Sequence, residues 1–201
     1  LEVFVGYVIY ESLASSLDNE NIKHEKLRYF SYREGLGITE ALNSSQKIAK
    51  KEFQESTHYA YVHSGDIFCP EANTIRTLKD LNENDKFYDL IFWSFIFKSA
   101  TERSIFVPRF RKINKGMTVP HIGTFISHSL HERLDGYDDK YKFAMDYDFF
   151  MKANKGCEFI EFNQILVEID GSGVSSINPH KTNLEVLRIQ LNLGGNSLNS
   201  K

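Results

Sequence analysis

The sequence contains little cysteine. Cys69 and Cys157 are the only two among 201 residues, and they form no CxxC pattern. Two thiols so far apart do not make a disulfide scaffold, and zinc sites built from paired CxxC motifs are excluded. A reducing compartment is therefore the expected environment, and a single bridge between the two thiols stays open.

Long hydrophobic runs are also absent. No apolar run reaches the roughly 18 residues that a membrane-spanning helix requires. The longest, Leu90–Phe97, is better interpreted as a buried strand. The first residues lack the basic region of a signal peptide. Because Leu1 opens the chain within an apolar segment and without an initiator methionine, we expect a truncated chain.

Neither sign of charge is in large excess. The chain has 24 basic and 27 acidic side chains, for a net charge of −3. A general nucleic-acid binder would show a basic excess or stripe, so we expect no nucleic-acid partner. With 41% hydrophobic residues, a chain of this length can bury a sizeable core. We interpret residues 1–201 as a single domain.

Several catalytic motifs are missing. The sequence has no HExxH, no GxSxG and no P-loop lysine motif. These absences remove support for a zinc protease, a serine hydrolase or a P-loop nucleotidase. A sugar nucleotidyltransferase would need an early glycine-rich loop to hold a triphosphate. Because Gly6 is the only glycine before Gly35, that class ranks last.

Strand-like and helix-like segments alternate along the chain. The strand-like segments are rich in β-branched and aromatic residues. They are 1–10, 29–32, 59–62, 90–97, 104–110, 124–126 and 158–169. Amphipathic helices are predicted at 38–53, about 71–81, 144–154 and in the tail, 183–201. The alternation predicts an α/β fold with a sheet that is mostly parallel at its start.

A first candidate site residue is Asp66. It follows the predicted strand that ends in His63-Ser64-Gly65-Asp66. Ligands of open α/β sheets bind beyond the carboxyl ends of strands, where a carboxylate can hold a divalent cation that bridges phosphates. The alternative is that Asp66 is only a turn residue, because Ser-Gly-Asp is ordinary turn chemistry.

Two further carboxylates, Asp146 and Asp148, stand at the start of a predicted helix. Both could interact with the helix N-terminus, and one could instead act as a general base for a hydroxyl group. Side chains two residues apart point in different directions on a helix, so the two should not share one role. Among the seven histidines, His121 lies at a strand entrance, where a structural role is the simpler interpretation.

Five segments together resemble the family 2 glycosyltransferases of bacterial surface-polysaccharide synthesis. The family patterns are "G-x-x-x-A-x-N", "L-N-S-G-D", "P-H-Q-G-T-F" leading to "L-G-G-F-D", "A-A-D-Y-D-F-F-L-R" and "G-G-I-S-S". The matching segments are Gly37–Asn43, Tyr61–Asp66, Pro120–Ile126 with Leu134–Asp138, Ala144–Lys152 and Gly171–Ser176. The last three occur in the family's order and spacing, which makes them the specific part of the resemblance.

The resemblance implies a GT-A-like single domain with a mixed, mostly parallel central sheet flanked by helices. It implies an inverting transfer in which Asp146 is the catalytic base and Asp66 holds Mg²⁺ or Mn²⁺. His121 and Asp148 would line or brace the acceptor side. The donor side would include the remaining matched residues, Gly37, Asn43, Ser64 and Gly65.

The same resemblance implies partners and a location. The donor would be a nucleoside-diphosphate sugar, and the acceptor a saccharide or lipid-linked saccharide of polysaccharide or lipopolysaccharide synthesis. The enzyme would work in the cytoplasm, and peripheral association with the inner face of the membrane is consistent with this role.

The sequence departs from the family in two places. His63 stands where the family usually has Asp or Asn, and Gly65 where many members have a second Asp, so metal binding would depend mainly on Asp66. The family's early "V-D-D-G-S-T-D-G-T" stretch has no counterpart, so the first strand with its nucleoside contacts is missing or replaced. These departures motivate an alternative, a degenerate GT-A domain that acts as a binding or scaffolding subunit without catalysis.

Overall fold

The computed structural model describes residues 5–10, 27–32, 37–63, 65–69, 72–83, 86–99, 101–171 and 178–194. The chain divides into two compact units, Leu1–Ser56 and Thr57–Lys201. The interpretation of 1–201 as one domain stays a prediction. Ser64 and most of the closing motif, 172–176, lie outside the described residues.

The first unit contains a pair of parallel strands, β1 (Val5–Tyr10) and β2 (Leu27–Tyr32). Both are rich in β-branched or aromatic residues, which favour extended backbone. Their register runs from Val5 opposite Leu27 to Tyr10 opposite Tyr32. The strands predicted in these two segments are confirmed.

A 15-residue helix, α1 (Ile38–Glu52), completes the described part of this unit. Gly37 precedes it with extended backbone, and the Gly37 carbonyl accepts the first helical N–H, from Ala41, at 3.0 Å. Basic residues in the last turn favour the negative end of the helix dipole. The helix predicted at 38–53 is therefore confirmed to within one residue.

The second unit is built on a six-stranded sheet. Its strands are β3 (His58–Tyr59), β4 (Ile67–Phe68), β5 (Leu90–Lys98), β6 (Arg103–Phe106), β7 (Phe125–Ser127) and β8 (Phe159–Asp170). The order across the sheet is β3-β7-β5-β8-β4, and β6 pairs with the end of β5. The two long strands, β5 and β8, therefore form its centre.

The predicted class, a mixed α/β sheet flanked by helices, is confirmed, but this sheet is less parallel than expected. Within this six-stranded sheet, as far as the structure describes it, β5 and β8 are parallel and the other four strand pairs are antiparallel. The sequence pattern predicted strands at 90–97 and 104–110 with no helix between them, and in the structure residues 99–102 connect β5 to β6. A connection this short can only join antiparallel neighbours.

Four α-helices and a 3-10 helix belong to the second unit as far as it is described. The α-helices are α2 (Ala72–Glu83), α3 (His128–Arg133), α4 (Met145–Ala153) and α5 (Pro179–Gly194), and the 3-10 helix is Phe110–Lys115. The strand predicted at 104–110 ends at Phe106, and Phe110 begins the 3-10 helix instead. The predicted tail helix begins four residues earlier than 183, at Pro179, because proline suits the first helical turn.

Side chains of β5 are buried on both faces of the sheet. Ile91 and Trp93 pack in a cluster with Ile122, Leu166 and Val167. On the opposite face Phe92 contacts Phe110 and Phe150, with ring centres 5.0 and 5.6 Å apart. A central strand covered on both sides explains the near-continuous apolar run in the sequence. Through Phe150, this packing fixes α4 against the sheet.

Two remaining observations concern cysteine and membranes. Cys69 and Cys157 are free thiols, so the bridge that the sequence left open does not form. Burial raises the pKa of the Cys157 thiol to about 11, which makes it unreactive at neutral pH. None of the described helices is long and apolar enough to cross a membrane.

Candidate active site

Asp146 lies in the first turn of α4. The helix is anchored by Phe149 and Phe150, both fully buried, while the Asp146 side chain is only half-buried. One carboxylate oxygen of Asp146 accepts the backbone N–H of Tyr147 at 2.8 Å. The carboxylate is therefore held at the helix N-terminus while part of it stays accessible to a ligand.

The environment of Asp146 changes its acidity. Burial raises the pKa of its carboxyl group to about 6, and the backbone N–H groups of Tyr147 and of Asp146 itself partly oppose this rise. A carboxylate with this pKa is mostly ionised at neutral pH and is still basic enough to accept a proton. General bases are most effective when their pKa lies near the working pH.

His121 contacts Tyr137, and Tyr137 is close enough to Asp146 for the carboxylate charge to raise its pKa. His121 Nε2 and the Tyr137 hydroxyl are 2.9 Å apart, and both side chains are buried. Burial lowers the pKa of His121 to about 3, with smaller contributions from His63 and His131, so the ring is neutral. Burial is also the main cause of the raised pKa of Tyr137, and the charge of Asp146 contributes to it.

Other aromatic side chains surround this pair. The Tyr59 hydroxyl is 2.5 Å from His131 Nδ1, and the Tyr61 ring centre is 5.2 Å from that of His121. Tyr59, Tyr61, Tyr137 and His131 were not predicted from the sequence as site residues. The one signal available was that Tyr59 and Tyr61, two residues apart on an extended segment, must face the same side.

Asp148 has different partners from Asp146, as the spacing of two residues suggested. It is 2% exposed, and its carboxylate lies 2.6 Å from Lys152 Nζ, one helical turn later. Lys152 Nζ is also 3.5 Å from an oxygen of Asp138. This ion pair ties α4 to the preceding turn, and bracing of the acceptor side by Asp148 stays a prediction. A direct contact of Asp148 with an acceptor stays a prediction.

Asp66 closes a tight turn beside the end of β8. Its two carboxylate oxygens accept the backbone N–H groups of His63 at 3.3 Å and of Asp170 at 2.9 Å. Gly65 has a φ of +95°, and a Cβ at this position would lie 3.1 Å from the Asp170 carboxylate. The turn therefore needs glycine, and it brings the Asp170 side chain close to Asp66.

The carboxylates at this turn could bind a metal ion only together with substrate phosphates and water. Among the described residues, no three His, Cys, Asp or Glu side chains form a metal-binding group. Each oxygen of Asp66 still has a second lone pair beyond its backbone contact. Mg²⁺ is commonly bound by one or two carboxylates together with substrate phosphates and water. Asp66, with Asp170 beside it, fits that mode and does not fit an all-protein site.

His63 links this turn to the cluster around Asp146. Its ring centre lies 5.9 Å from that of His121. His63 Nε2 is buried and, within the described ranges, has no hydrogen-bond partner. Burial lowers the pKa of His63, and Asp66 partly opposes this. The structure thus places Asp66, Gly65, His121 and Asp146 in one continuous region of the second unit.

Two other predicted donor-side residues, Gly37 and Asn43, belong to the first unit. Gly37 precedes α1, and a Cβ added there would meet no atom within 4 Å. Asn43 is half-buried on α1. Ser64 lies outside the described residues. Nucleotide binding by Gly37, Asn43, Ser64 and Gly65 stays a prediction.

No protein-family model matches the chain, and no curated protein matches it. Among solved structures, the chain is similar to the crystal structure of S. aureus TarS 1-349 in complex with UDP. The TM-score is 0.57 and the sequence identity is 16%. The fold is a GT-A-like glycosyltransferase fold.

The likeness to TarS concerns the fold, because the sequences are only 16% identical. The match covers 91% of this chain and 54% of the TarS chain, so this chain spans about half the length of that structure. The mixed sheet with flanking helices is the shared feature. It agrees with the GT-A-like fold that the sequence resemblance implied.

Proposed function

We propose that this chain is an inverting glycosyltransferase domain of the family 2 type. It transfers a sugar from a nucleoside-diphosphate sugar to a hydroxyl acceptor. The observation that carries the proposal is Asp146, a half-buried carboxylate with a pKa raised to about 6 on a GT-A-like fold. The UDP in the TarS structure supports a nucleotide-sugar donor.

Asp146 supplies the base for a direct displacement. The acceptor oxygen attacks the anomeric carbon, its proton passes to the Asp146 carboxylate, and a new glycosidic bond forms. The bond from that carbon to the diphosphate oxygen breaks, and its electron pair leaves with the nucleoside diphosphate. Attack opposite the leaving group inverts the configuration. The half-buried side chain suits this role because water has limited access to it.

The leaving diphosphate carries charge that must be stabilised. In this proposal Asp66, with Asp170 beside it, would hold Mg²⁺ or Mn²⁺, and the bound ion would supply positive charge for the diphosphate. The neutral His121 ring and the Tyr137 hydroxyl form a buried polar pair, close enough to Asp146 for its charge to affect Tyr137. We propose that this pair braces the acceptor side, while Asp148 holds the helix through Lys152.

The acceptor and the location are inferred from the sequence resemblance. We propose a saccharide or lipid-linked saccharide acceptor in the synthesis of bacterial polysaccharide or lipopolysaccharide. The reaction takes place in the cytoplasm, and the domain can associate peripherally with the inner face of the membrane.

The pH dependence of turnover tests the role of Asp146. The base must be ionised, so kcat should be highest above pH 7 and fall as the pH drops through about 6. The measurement is nucleoside-diphosphate release between pH 5 and 8.5, with circular dichroism at each pH to confirm folding. A kcat that is unchanged from pH 5 to 7 would argue against a carboxylate base with this pKa.

Calorimetric titration with UDP and GDP tests the role of Asp66. We expect binding that needs Mn²⁺ and that weakens about tenfold or more in Asp66→Ala, because metal bridging contributes several kcal/mol to charge stabilisation. Asp80→Ala, a change at an exposed position of α2, is the matched control. Equal affinity with and without metal in all proteins would rule out this donor site.

The competing proposal is a degenerate domain that binds or scaffolds without catalysis. The observation in its favour is that the described residues include no complete protein metal site, and the sequence lacks the family's early acidic stretch. It predicts that metal-dependent nucleotide affinity is absent while glycan or partner binding is retained. Metal-dependent UDP binding together with turnover would exclude it.

A further inference from the structure

We propose that Glu185, on the C-terminal helix α5, is a positioning residue for the Asp146 carboxylate. The inference deepens the proposed function and rests on it for the identity of the base. It is carried by hydrogen bonds from α5 to residues on both sides of Asp146.

Glu185 binds the segment that leads into α4. One of its oxygens accepts the N–H groups of Phe143 at 2.8 Å and of Ala144 at 2.9 Å, and the other accepts that of Lys142 at 3.1 Å. Ala144 is the N-cap residue of α4. Three consecutive N–H groups that converge on one point form an anion-binding concavity. In this chain the Glu185 carboxylate, which lies more than 40 residues later in the sequence, occupies that concavity.

Gln190, five residues further along α5, binds the other side. Its side-chain amide donates to the Tyr147 hydroxyl at 3.1 Å and to the Asn114 carbonyl at 3.3 Å. The Tyr147 hydroxyl in turn donates to the Ile113 carbonyl at 2.9 Å. Tyr147 is fully buried. α5 therefore holds both residues 144 and 147, and Asp146 lies between them.

Asp146 has little freedom of its own in this arrangement. Its carboxylate bonds the N–H of Tyr147, so its direction follows the first turn of α4. Loss of Glu185 leaves three N–H groups without their carboxylate partner, and water must replace it at a half-buried position. The first turn then has more than one arrangement. A displacement of about 1 Å in a catalytic group can lower the rate about 100-fold.

A purely structural cap would have a different signature. It would affect the folded state as a whole, so donor binding and turnover would weaken together. A positioning residue lowers kcat while donor affinity is retained, because the donor contacts in the proposal lie at the Asp66 turn. The loss of kcat compared with the loss of donor affinity therefore distinguishes a positioning residue from a structural cap.

The experiment compares the full chain with Glu185→Ala, Glu185→Gln and the control Arg188→Gln, an exposed residue of the same helix. For Glu185→Ala we expect kcat to fall about 10- to 100-fold, with the dissociation constant for UDP changed less than about twofold. Glu185→Gln keeps one acceptor oxygen and should be intermediate. Arg188→Gln should match the parent chain. If Glu185→Ala does not fold, Glu185→Gln carries the test.

Amide hydrogen exchange of Phe143 and Ala144 gives a second readout that needs no turnover. It should be faster in Glu185→Ala and unchanged in Arg188→Gln. If the parent chain turns over no nucleotide sugar, the proposed function fails, and the exchange rates still decide whether Glu185 holds this segment. Parental kcat and exchange rates in Glu185→Ala would overturn the inference. Equal losses of kcat and UDP binding would overturn it in favour of a structural cap.

Discussion

Replacing Asp146 with Asn should abolish turnover while the chain stays folded. The Asn side chain has nearly the same shape but cannot accept a proton from the acceptor hydroxyl. General base catalysis contributes about 10²- to 10⁴-fold, so we expect kcat to fall by about 10³-fold. Nucleoside-diphosphate release measures the loss, and UDP binding should be retained because the substitution lies away from the proposed donor turn at Asp66.

Above pH 7, the Asp146→Asn variant should have a free energy of unfolding equal to or higher than that of the parent chain. Burial raises the pKa of Asp146 from 3.8 to about 6, so the folded state favours the protonated form. The stability that Asp146 contributes in its protonated form is fully present below pH 4. It is lost as the pH rises through 6, because the folded protein must then hold an ionised, partly buried carboxylate. Each pKa unit corresponds to about 1.4 kcal/mol. Because Asp146 is partly accessible to solvent, we expect a gain of about 1 kcal/mol for Asp146→Asn at pH 8.

Asp148→Asn provides the matched control, since it makes the same chemical change on the same helix. Asp148 is buried with Lys152, so removing its charge leaves the ammonium group without its closest partner. We expect this variant to lose about 2 kcal/mol or more of stability. Thermal unfolding of both variants at pH 8 makes the comparison. A folded Asp146→Asn variant with parental kcat would refute the assignment of the base.

Gly123→Ala should strongly destabilise the second unit. A Cβ at this position would lie 2.7 and 3.1 Å from the two methyl groups of Val167, which is 1% exposed. The residue also has a φ of +73°, in the left-handed region that favours glycine. The backbone strain costs about 1–2 kcal/mol and overpacking about 1–3 kcal/mol. The expected loss in free energy of unfolding is about 2–4 kcal/mol.

Gly156→Ala is the control for this prediction. A Cβ there would meet no atom within 4 Å, and its φ is not in the left-handed region. We expect a change within about 0.5 kcal/mol. Urea denaturation followed by tryptophan fluorescence suits the measurement, because Trp93 lies in the same core cluster as Val167. Equal stabilities for the two variants would show that the Gly123 site can relax without cost.

Gly123 also explains why glycine follows His121 in this segment. The Gly123 N–H donates to the Tyr61 carbonyl at 2.9 Å, and a Cβ at Gly123 would overlap Val167 of β8, so only glycine fits this close approach. This close approach places His121 next to Tyr61 and Tyr137. The glycine in the "P-H-Q-G-T-F" pattern therefore has a packing reason in this chain.

The local sequence pattern was sufficient to predict the long helices and the long central strand. The apolar run at Leu90–Phe97 predicted the central strand, and it is buried because helices and loops cover both faces of the sheet. The amphipathic segment before Phe53 predicted α1, and the segment around Phe149 predicted α4. In each case the residue types and their period favour the observed structure without help from distant residues.

The local sequence pattern was not sufficient to predict the direction of the strands or the 3-10 helix. The segment 104–110 begins with strand-like residues, but Pro108 disfavours a continuing strand, and Phe110 leaves the sheet and packs against Phe92 and Phe150. The packing of an aromatic side chain on a distant helix outweighs the small intrinsic preference of its backbone. The antiparallel pairing of β5 with β6 follows from the short connection between them, residues 99–102, and not from their composition.

The sequence by itself determined that Asp146 and Asp148 stand at the start of a helix and that they point in different directions. It also determined that Asp66 ends a glycine turn. Only the tertiary structure decided which carboxylate is buried with a lysine and which stays half-accessible with a raised pKa. It also brought Tyr137 to His121 and Glu185 to the N-terminus of α4. These contacts join residues far apart in the chain, so no local preference encodes them, and burial sets their acidity only after the chain has packed.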